Sequence, residues 1–147
     1  MWKNIIIIGL LITIFSCGSK KTAVENSENS KEVVVGKINT VSYKSLGNGV
    51  ASISLQLFEN DTFKFDLKSI PQPGENEKPV KISEKGTYIT EGNWKILNFN
   101  NPKFSLAAIF DKQYSNASDF QVIDNEKVKI NTAKNALPIW GVVCEKQ

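Results

Sequence analysis

Strict alternation of apolar and polar residues is the feature that most constrains what this chain can fold into. In ASISLQL, which begins at Ala51, every second residue is apolar, and TFKFDLK, which begins at Thr62, repeats the pattern. A period of two places successive side chains on opposite faces of an extended strand, so each segment predicts a half-buried β-strand. The polar residues 59–61 between the two segments predict a tight turn, and the whole stretch therefore predicts a β-hairpin.

The rest of the C-terminal part repeats this rhythm. GTYIT and WKILNF flank a turn at 91–93, and FQVI and KVKIN flank a turn at 124–126. Further single strands are predicted at VVVGKINTVSYKS, KFSLAAIFD and LPIWGVVCE, with SIPQPGENEKP as a long loop, whereas SLAAIF is too short to predict a helix. Successive hairpins at this spacing are typical of β-sandwiches and barrels. We predict an all-β fold: a single small antiparallel up-and-down, lipocalin-like barrel of eight or nine strands, because closure leaves no free edge. A β-sandwich is the alternative.

The N-terminal segment has a different character. Lys3 precedes an apolar run of eleven residues, 5–15. As a helix this run would rise only about 16 Å, about half of the ~30 Å hydrocarbon core of a bilayer. The run leads into IFSC at 14–17, which resembles the lipobox of bacterial lipoprotein signal peptides. In that family the peptide is cut between Ser16 and Cys17 and Cys17 is acylated, since several acyl chains hold a protein stably at a membrane.

These features divide the chain into three parts. Residues 1–16 are the expected lipoprotein signal peptide, with an ordinary secretory signal as the alternative. Residues 17–32 are polar and lack apolar periodicity, which predicts a lipidated, flexible tether. Residues 33–147 are the expected barrel domain. The resemblance implies a lipoprotein in the outer membrane of a Gram-negative cell envelope, and Gly18 and Lys20 after the cysteine favour a domain that faces the periplasm.

Composition limits the function. All 18 basic residues are lysines and the chain has no histidine. Arginine normally makes the bidentate contacts to phosphate and guanine, so nucleic acid is not an expected partner. Histidine is the commonest general base and transition-metal ligand, and we therefore expect no enzyme activity, no metal and no cofactor. If Cys17 is acylated, Cys144 has no partner, and we expect a buried, inert thiol; an exposed copper-binding or redox thiol is the alternative.

One further resemblance concerns the strands themselves. GNGVASISLQLFENDTFKFDL, then GTYITEGNWKILNF, then a C-terminal VVCEK, are similar to small bacterial lipoproteins with lipocalin-like barrels. In outline they resemble the N-terminal domain of the NlpE-like copper-homeostasis lipoproteins. Those proteins carry a CxxC just before the strand that matches SISLQL, whereas this chain has LGNGV at 46–50. Copper binding and thiol-based sensing are therefore not implied.

No group of polar residues has the pattern of a reactive centre. Asp61 with Asp66, and Glu75 with Glu77, occupy turns, outward strand positions or the long loop, where charged residues are normally solvated. The sequence at 124–126, Asp-Asn-Glu, lacks the spacing of a calcium loop and predicts a tight turn. We therefore predict no catalytic residue in this chain.

Aromatic residues are numerous for a domain of this size. Eight-stranded barrels either fill their interior with such side chains or leave room for one small ligand, and we expect filling. The residues expected to take part are Phe63, Phe65, Tyr88, Trp94, Phe99, Phe104, Phe110, Phe120 and Trp140. The expected function is that of a non-enzymatic binding module, held at the membrane by its acylated N-terminus, for a small apolar ligand or envelope component. A protein-binding inhibitor or a periplasmic sensor of the envelope is the alternative.

Overall fold

A computed structural model describes residues 38–47, 49–74 and 78–147 of the chain. In these residues nine antiparallel strands form one nearly closed, barrel-shaped sheet, accompanied by a single short α-helix. The strands are β1 (Asn39–Ser45), β2 (Ala51–Phe58), β3 (Thr62–Ser69), β4 (Lys81–Glu91), β5 (Trp94–Asn98), β6 (Phe120–Val122), β7 (Lys127–Asn131), β8 (Ala136–Ile139) and β9 (Val142–Lys146), and the helix α1 is Leu106–Ile109. The predicted small antiparallel barrel is confirmed. The predicted signal peptide and tether lie outside the described residues.

The hairpin of β2 and β3 follows the alternation closely. Leu55 lies opposite Phe65 and Leu57 lies opposite Phe63, and all four side chains are buried. The intervening polar residues, such as Lys64, point outward and remain accessible. A cross-strand register of this kind is fixed by burial, because a slip of one residue would turn every apolar side chain toward solvent.

The order of the strands follows from their directions. From edge to edge it is β6-β7-β5-β4-β3-β2-β1-β9-β8, so β1 to β5 form an up-and-down meander. The connection from β5 to β6 crosses from one end of the barrel to the other, and β6 therefore runs in the same direction as β5. Neighbouring strands in this sheet are antiparallel, so the neighbour of β5 is β7, which runs in the opposite direction. Strand β8 likewise runs in the same direction as β1, and the neighbour of β1 is therefore β9.

The crossing segment between β5 and β6 corrects one prediction. KFSLAAIFD is not a strand: it contains α1, which Ser105 caps by accepting a hydrogen bond from the backbone N–H of Ala108. Leu106, Ile109 and Phe110 are buried at i, i+3 and i+4, which is the spacing of one helix face. Packing of this face against the barrel core therefore stabilises a helix that is too short to be predicted from the sequence.

The C-terminal segment corrects a second prediction. LPIWGVVCE is not one strand but the hairpin of β8 and β9, with Trp140 and Gly141 as its two-residue turn. Val142 and Cys144 share the buried face, as alternation predicts, but Trp140 lies in the turn and does not extend that row. The loss of one predicted strand at 103–111 and the gain of one here leave the total at nine in the described residues.

Candidate functional site

The residues predicted to carry acylation, Ser16 and Cys17, lie outside the described part of the chain, and so do Glu75 and Glu77. Asp61 occupies the turn between β2 and β3, where its φ is 55°. Asp66 lies on the outer face of β3, with its carboxylate 2.7 Å from the Nζ of Lys64. These two aspartates are therefore a turn residue and a surface ion-pair partner.

The turn at 124–126 has the form predicted for it. The side chain of Asp124 accepts hydrogen bonds of 2.8 Å from the backbone N–H groups of Glu126 and Lys127. These bonds, led by the one from Glu126, lower the pKa of the Asp124 carboxyl group. The carboxylate therefore closes its own turn, as aspartate commonly does in loops.

Cys144 is fully buried on the inner face of β9. Burial raises the pKa of its thiol to about 12. At neutral pH the group is therefore a protonated thiol, and it is the thiolate that binds soft metals and attacks disulfides. Cys144 thus serves as a small apolar core residue, in agreement with the prediction of an inert thiol.

Aromatic rings occupy the interior of the described domain. Phe63, Phe65, Tyr88, Phe99, Phe110 and Phe120 are buried and Phe104 is half-buried against them. The rings of Phe65, Phe99 and Phe110 have centroids 5.9–6.3 Å apart, mostly in edge-to-face arrangements that aromatic pairs favour. Trp140 is half-buried and packs against this cluster, as expected, whereas Trp94 does not belong to it. Trp94 lies on the outer face of β5, where the Nζ of Lys129 is 5.5 Å from its ring.

Tyr43 is a buried aromatic residue that sequence reasoning missed. It is fully enclosed on the inner face of β1, and its hydroxyl group donates a 2.8 Å hydrogen bond to the backbone oxygen of Lys134. Burial raises the pKa of this phenol to about 12. Tyr43 therefore acts as a neutral tie between β1 and the turn before β8.

One end of the barrel carries a groove of about 440 Å³, called here the Trp140 groove. Its lining residues are Val50, Ala108, Asp111, Tyr114, Trp140, Gly141 and Val142. The β1–β2 connection, the segment after α1 and the β8–β9 turn thus meet at one end of the barrel. The backbone N–H of Trp140 donates a 2.6 Å hydrogen bond to the oxygen of Ile109, which fixes the turn against the helix.

Two aromatic residues, Tyr114 and Trp140, form a wall of this groove. Tyr114 is 61% exposed, and its ring lies over Gly141, since a Cβ built there would be 3.5 Å from the ring carbons. Trp140 is half-buried. The groove therefore offers aromatic contact area from two residues at one place.

The backbone of Trp140 is in an unfavourable conformation. Its φ is 52° and that of Gly141 is 68°, so both central residues of the two-residue turn are left-handed. Asparagine followed by glycine is the usual pair in such a turn, because a bulky side chain at positive φ is strained. Strain of this kind is commonly retained where a side chain has a function. The only sequence signal for this turn is Trp-Gly between two short apolar runs, a pattern that also fits one continuous strand.

Exposed aliphatic residues continue from the groove across the same end of the barrel. Leu46, Val50, Ile70 and Val80 are each 41–69% exposed. The backbone N–H of Ile70 bonds to the oxygen of Val50, so the connections β1–β2 and β3–β4 form one surface. Strand β1 begins at Asn39 at the opposite end, because each strand reverses direction. The groove and these residues therefore lie at the end remote from where the chain enters the domain.

Among residues 38–47, 49–74 and 78–147, no three His, Cys, Asp or Glu side chains lie close enough to hold a metal ion. In the same residues no helix is long and apolar enough to cross a bilayer. Comparison of the chain with protein-family models, with curated proteins and with solved structures gave no match.

Proposed function

We propose that this protein is a non-enzymatic binding module of the bacterial envelope, anchored through lipid on Cys17, which recognises a protein partner through the Trp140 groove. The observation that carries this proposal is a half-buried tryptophan that lines a groove and is held in a strained turn, at a position where asparagine would suit the backbone better. Tryptophan and tyrosine are the residues that most often dominate the energy of protein–protein contacts.

The packing of the interior supports an outer binding surface. The centre of the barrel is occupied by side chains such as Phe65 and Phe99, each fully buried. A small apolar ligand in that position would have to displace this close-packed core, at a cost in free energy. Of the two functions expected from the sequence, a protein-binding inhibitor or sensor is therefore favoured over a carrier with an internal cavity.

The location of the groove supports the same conclusion. Trp140 lies at the end of the barrel opposite Asn39, where the preceding chain enters the described domain. A module anchored by its N-terminus through a polar segment would be able to present this end away from its own attachment point. Exposed Leu46, Val50 and Ile70 next to the groove extend the apolar area beyond that expected for a scattered surface residue.

Replacing Trp140 by asparagine tests the binding function. We expect Trp140→Asn to remain folded, because asparagine tolerates the left-handed backbone and this offsets part of the packing that the half-buried indole makes against the core. A photoreactive benzoylphenylalanine placed at Tyr114 in living cells should capture a discrete protein, and Trp140→Asn should reduce this capture at least about tenfold, as expected for a central contact residue.

The matched control places the same photoreactive residue at Gln121, an exposed position on β6 outside the groove. Capture at Gln121 should be weaker and should not depend on Trp140. If the product formed at Tyr114 is equally abundant in the Trp140→Asn variant, the groove is not the binding surface and the proposal is wrong.

The membrane anchor has its own test. Changing Cys17→Ser should abolish metabolic labelling with palmitate and leave an unprocessed precursor, because the thiol is the acceptor of the lipid in the lipoprotein pathway that IFSC resembles. Labelling is measured on protein immunoprecipitated from cells, with Cys144→Ser as the control that should label normally. Equal labelling of the Cys17→Ser variant would rule out the lipid anchor.

A further inference from the structure

A second groove, called here the Asn98 groove, lies on the outer face of the barrel across β4, β5 and β7. It has a volume of about 280 Å³ and is lined by Thr87, Tyr88, Ile89, Ile96, Asn98, Ile123 and Lys127. Ile89 is 61% exposed and Ile123 is 51% exposed, although both stand on the solvent side of the sheet. The outer face of an antiparallel sheet normally carries polar residues, so three isoleucines around one groove form an unusual apolar surface.

Asn98 adds a polar group to this apolar groove. Its Oδ1 is shielded from solvent and has no hydrogen-bond partner in the described residues. Buried polar atoms in native proteins are almost always hydrogen-bonded, and an unpaired one requires an explanation. The carboxamide is free to turn about its last side-chain torsion, which is broad for asparagine. Either its donor or its acceptor can therefore face the groove.

The charge at the rim indicates what kind of head group would fit. Lys127 lines the groove, but its Nζ is 3.7 Å from the carboxylate of Asp124 on the same turn. The cation is therefore already balanced, and the carboxylate beside it would repel an anion. A neutral group that both donates and accepts hydrogen bonds would match the Asn98 carboxamide, whereas a carboxylate could only accept.

We propose that the Asn98 groove binds a small neutral amphipathic molecule with an aliphatic or aromatic body and a primary amide as its head. The body lies along Ile89, Ile96 and Ile123, and the head pairs with the carboxamide of Asn98. This site is separate from the Trp140 groove, with which it shares no lining residue, and it does not depend on the protein-binding function.

A series of ligands with equal chain length tests the head group. Hexanamide and hexanoate are titrated into the soluble domain, and binding is followed by the NMR shifts of the amides of Ile89, Ile96 and Ile123. We expect hexanamide to shift these signals saturably and hexanoate to bind at least about tenfold more weakly. Equal binding of the two compounds, or no shift with hexanamide up to about 20 mM, would overturn the proposal.

Two variants test the residues. Asn98→Leu should remain folded, because it removes an unpaired polar atom, and it should weaken hexanamide binding at least about tenfold. The control is Asn135→Leu, which changes an exposed turn at the other end of the barrel and should leave hexanamide binding unchanged. Ile89→Glu changes an exposed residue and should also abolish binding, so the test stands even if Asn98→Leu does not fold. Unchanged affinity in either folded groove variant would show that hexanamide binds elsewhere and would refute the site. Trp140→Asn should leave hexanamide binding unchanged.

Discussion

Replacing Phe65 by alanine should lower the free energy of unfolding by about 3–5 kcal/mol, the usual range for removal of a buried phenylalanine. The side chain is fully buried on β3, and its ring centroid lies about 6 Å from those of Phe99, Phe104 and Phe110. Removing this ring would leave a void at the centre of the aromatic cluster. The loss is a large part of the ~5–15 kcal/mol that stabilises a typical domain.

The neighbouring Lys64 provides the matched control for this prediction. It points to the outer face of β3 and pairs with Asp66, but its side chain is 38% exposed, and ion pairs on the surface contribute little. Lys64→Ala should therefore change stability by no more than about 0.5 kcal/mol. Urea unfolding of the soluble domain, followed by the fluorescence of Trp94 and Trp140, measures both variants. Similar losses at the two positions would contradict the assignment of faces on this strand.

The strands that sequence predicted well are those whose two faces have clearly different environments. In β2 and β3 each apolar residue except Phe58 is buried and each polar residue is accessible to some degree, so period-two alternation is sufficient to predict the strand, its partner and the turn. The first half of β4 was missed, because KISEKG reads as polar. In the structure this half pairs with β3 along its full length, and pairing of the backbone outweighs its weak sequence signal.

The segments that sequence predicted wrongly are those in which tertiary contacts decide the local structure. KFSLAAIFD is apolar and short, and such runs are ambiguous between strand and helix. Its conformation is fixed by the burial of Leu106 and Phe110 beneath the barrel wall. Alternation predicts one strand that carries Trp140, Val142 and Cys144 on the same face, and only the pairing of Ile139 with Val142 shows that the chain reverses there.

Neither candidate groove could be predicted from the sequence, and the reason is similar for both. The Trp140 groove unites residues from Val50 to Val142, which are far apart in the chain and come together only when β1 pairs with β9. Asn98 reads as an ordinary polar residue on an outward strand position. Its lack of a partner is a property of the neighbours that the fold places around it. Periodicity predicts which face a residue occupies, but it does not predict what lies beside it on that face.

Replacing Gly86 by alanine is the second substitution from which we expect a large effect. Gly86 lies on the inner side of β4 opposite Phe63, where a Cβ would overlap the backbone oxygen of Asn98 and would stand 2.6 Å and 2.8 Å from two ring carbons of Phe63. The ring of Phe63 can rotate or shift, but the carbonyl group of Asn98 is held in the backbone at the end of β5. The strand must therefore move, and we expect a loss of about 3 kcal/mol or more, at the upper end for overpacking.

Two comparisons identify the cause of that loss. Gly92→Ala lies in the β4–β5 turn at φ 60° with no atom within 4 Å of the added Cβ, so it should cost only about 1 kcal/mol, from backbone strain. The double variant Gly86→Ala/Phe63→Leu relieves the contact with the ring of Phe63 but not the contact with the backbone oxygen of Asn98. Its free energy of unfolding should therefore be no higher than that of Phe63→Leu alone. Urea unfolding measures all four variants. If Gly86→Ala costs no more than Gly92→Ala, then β4 and the backbone at Asn98 do not approach as closely as the structure shows.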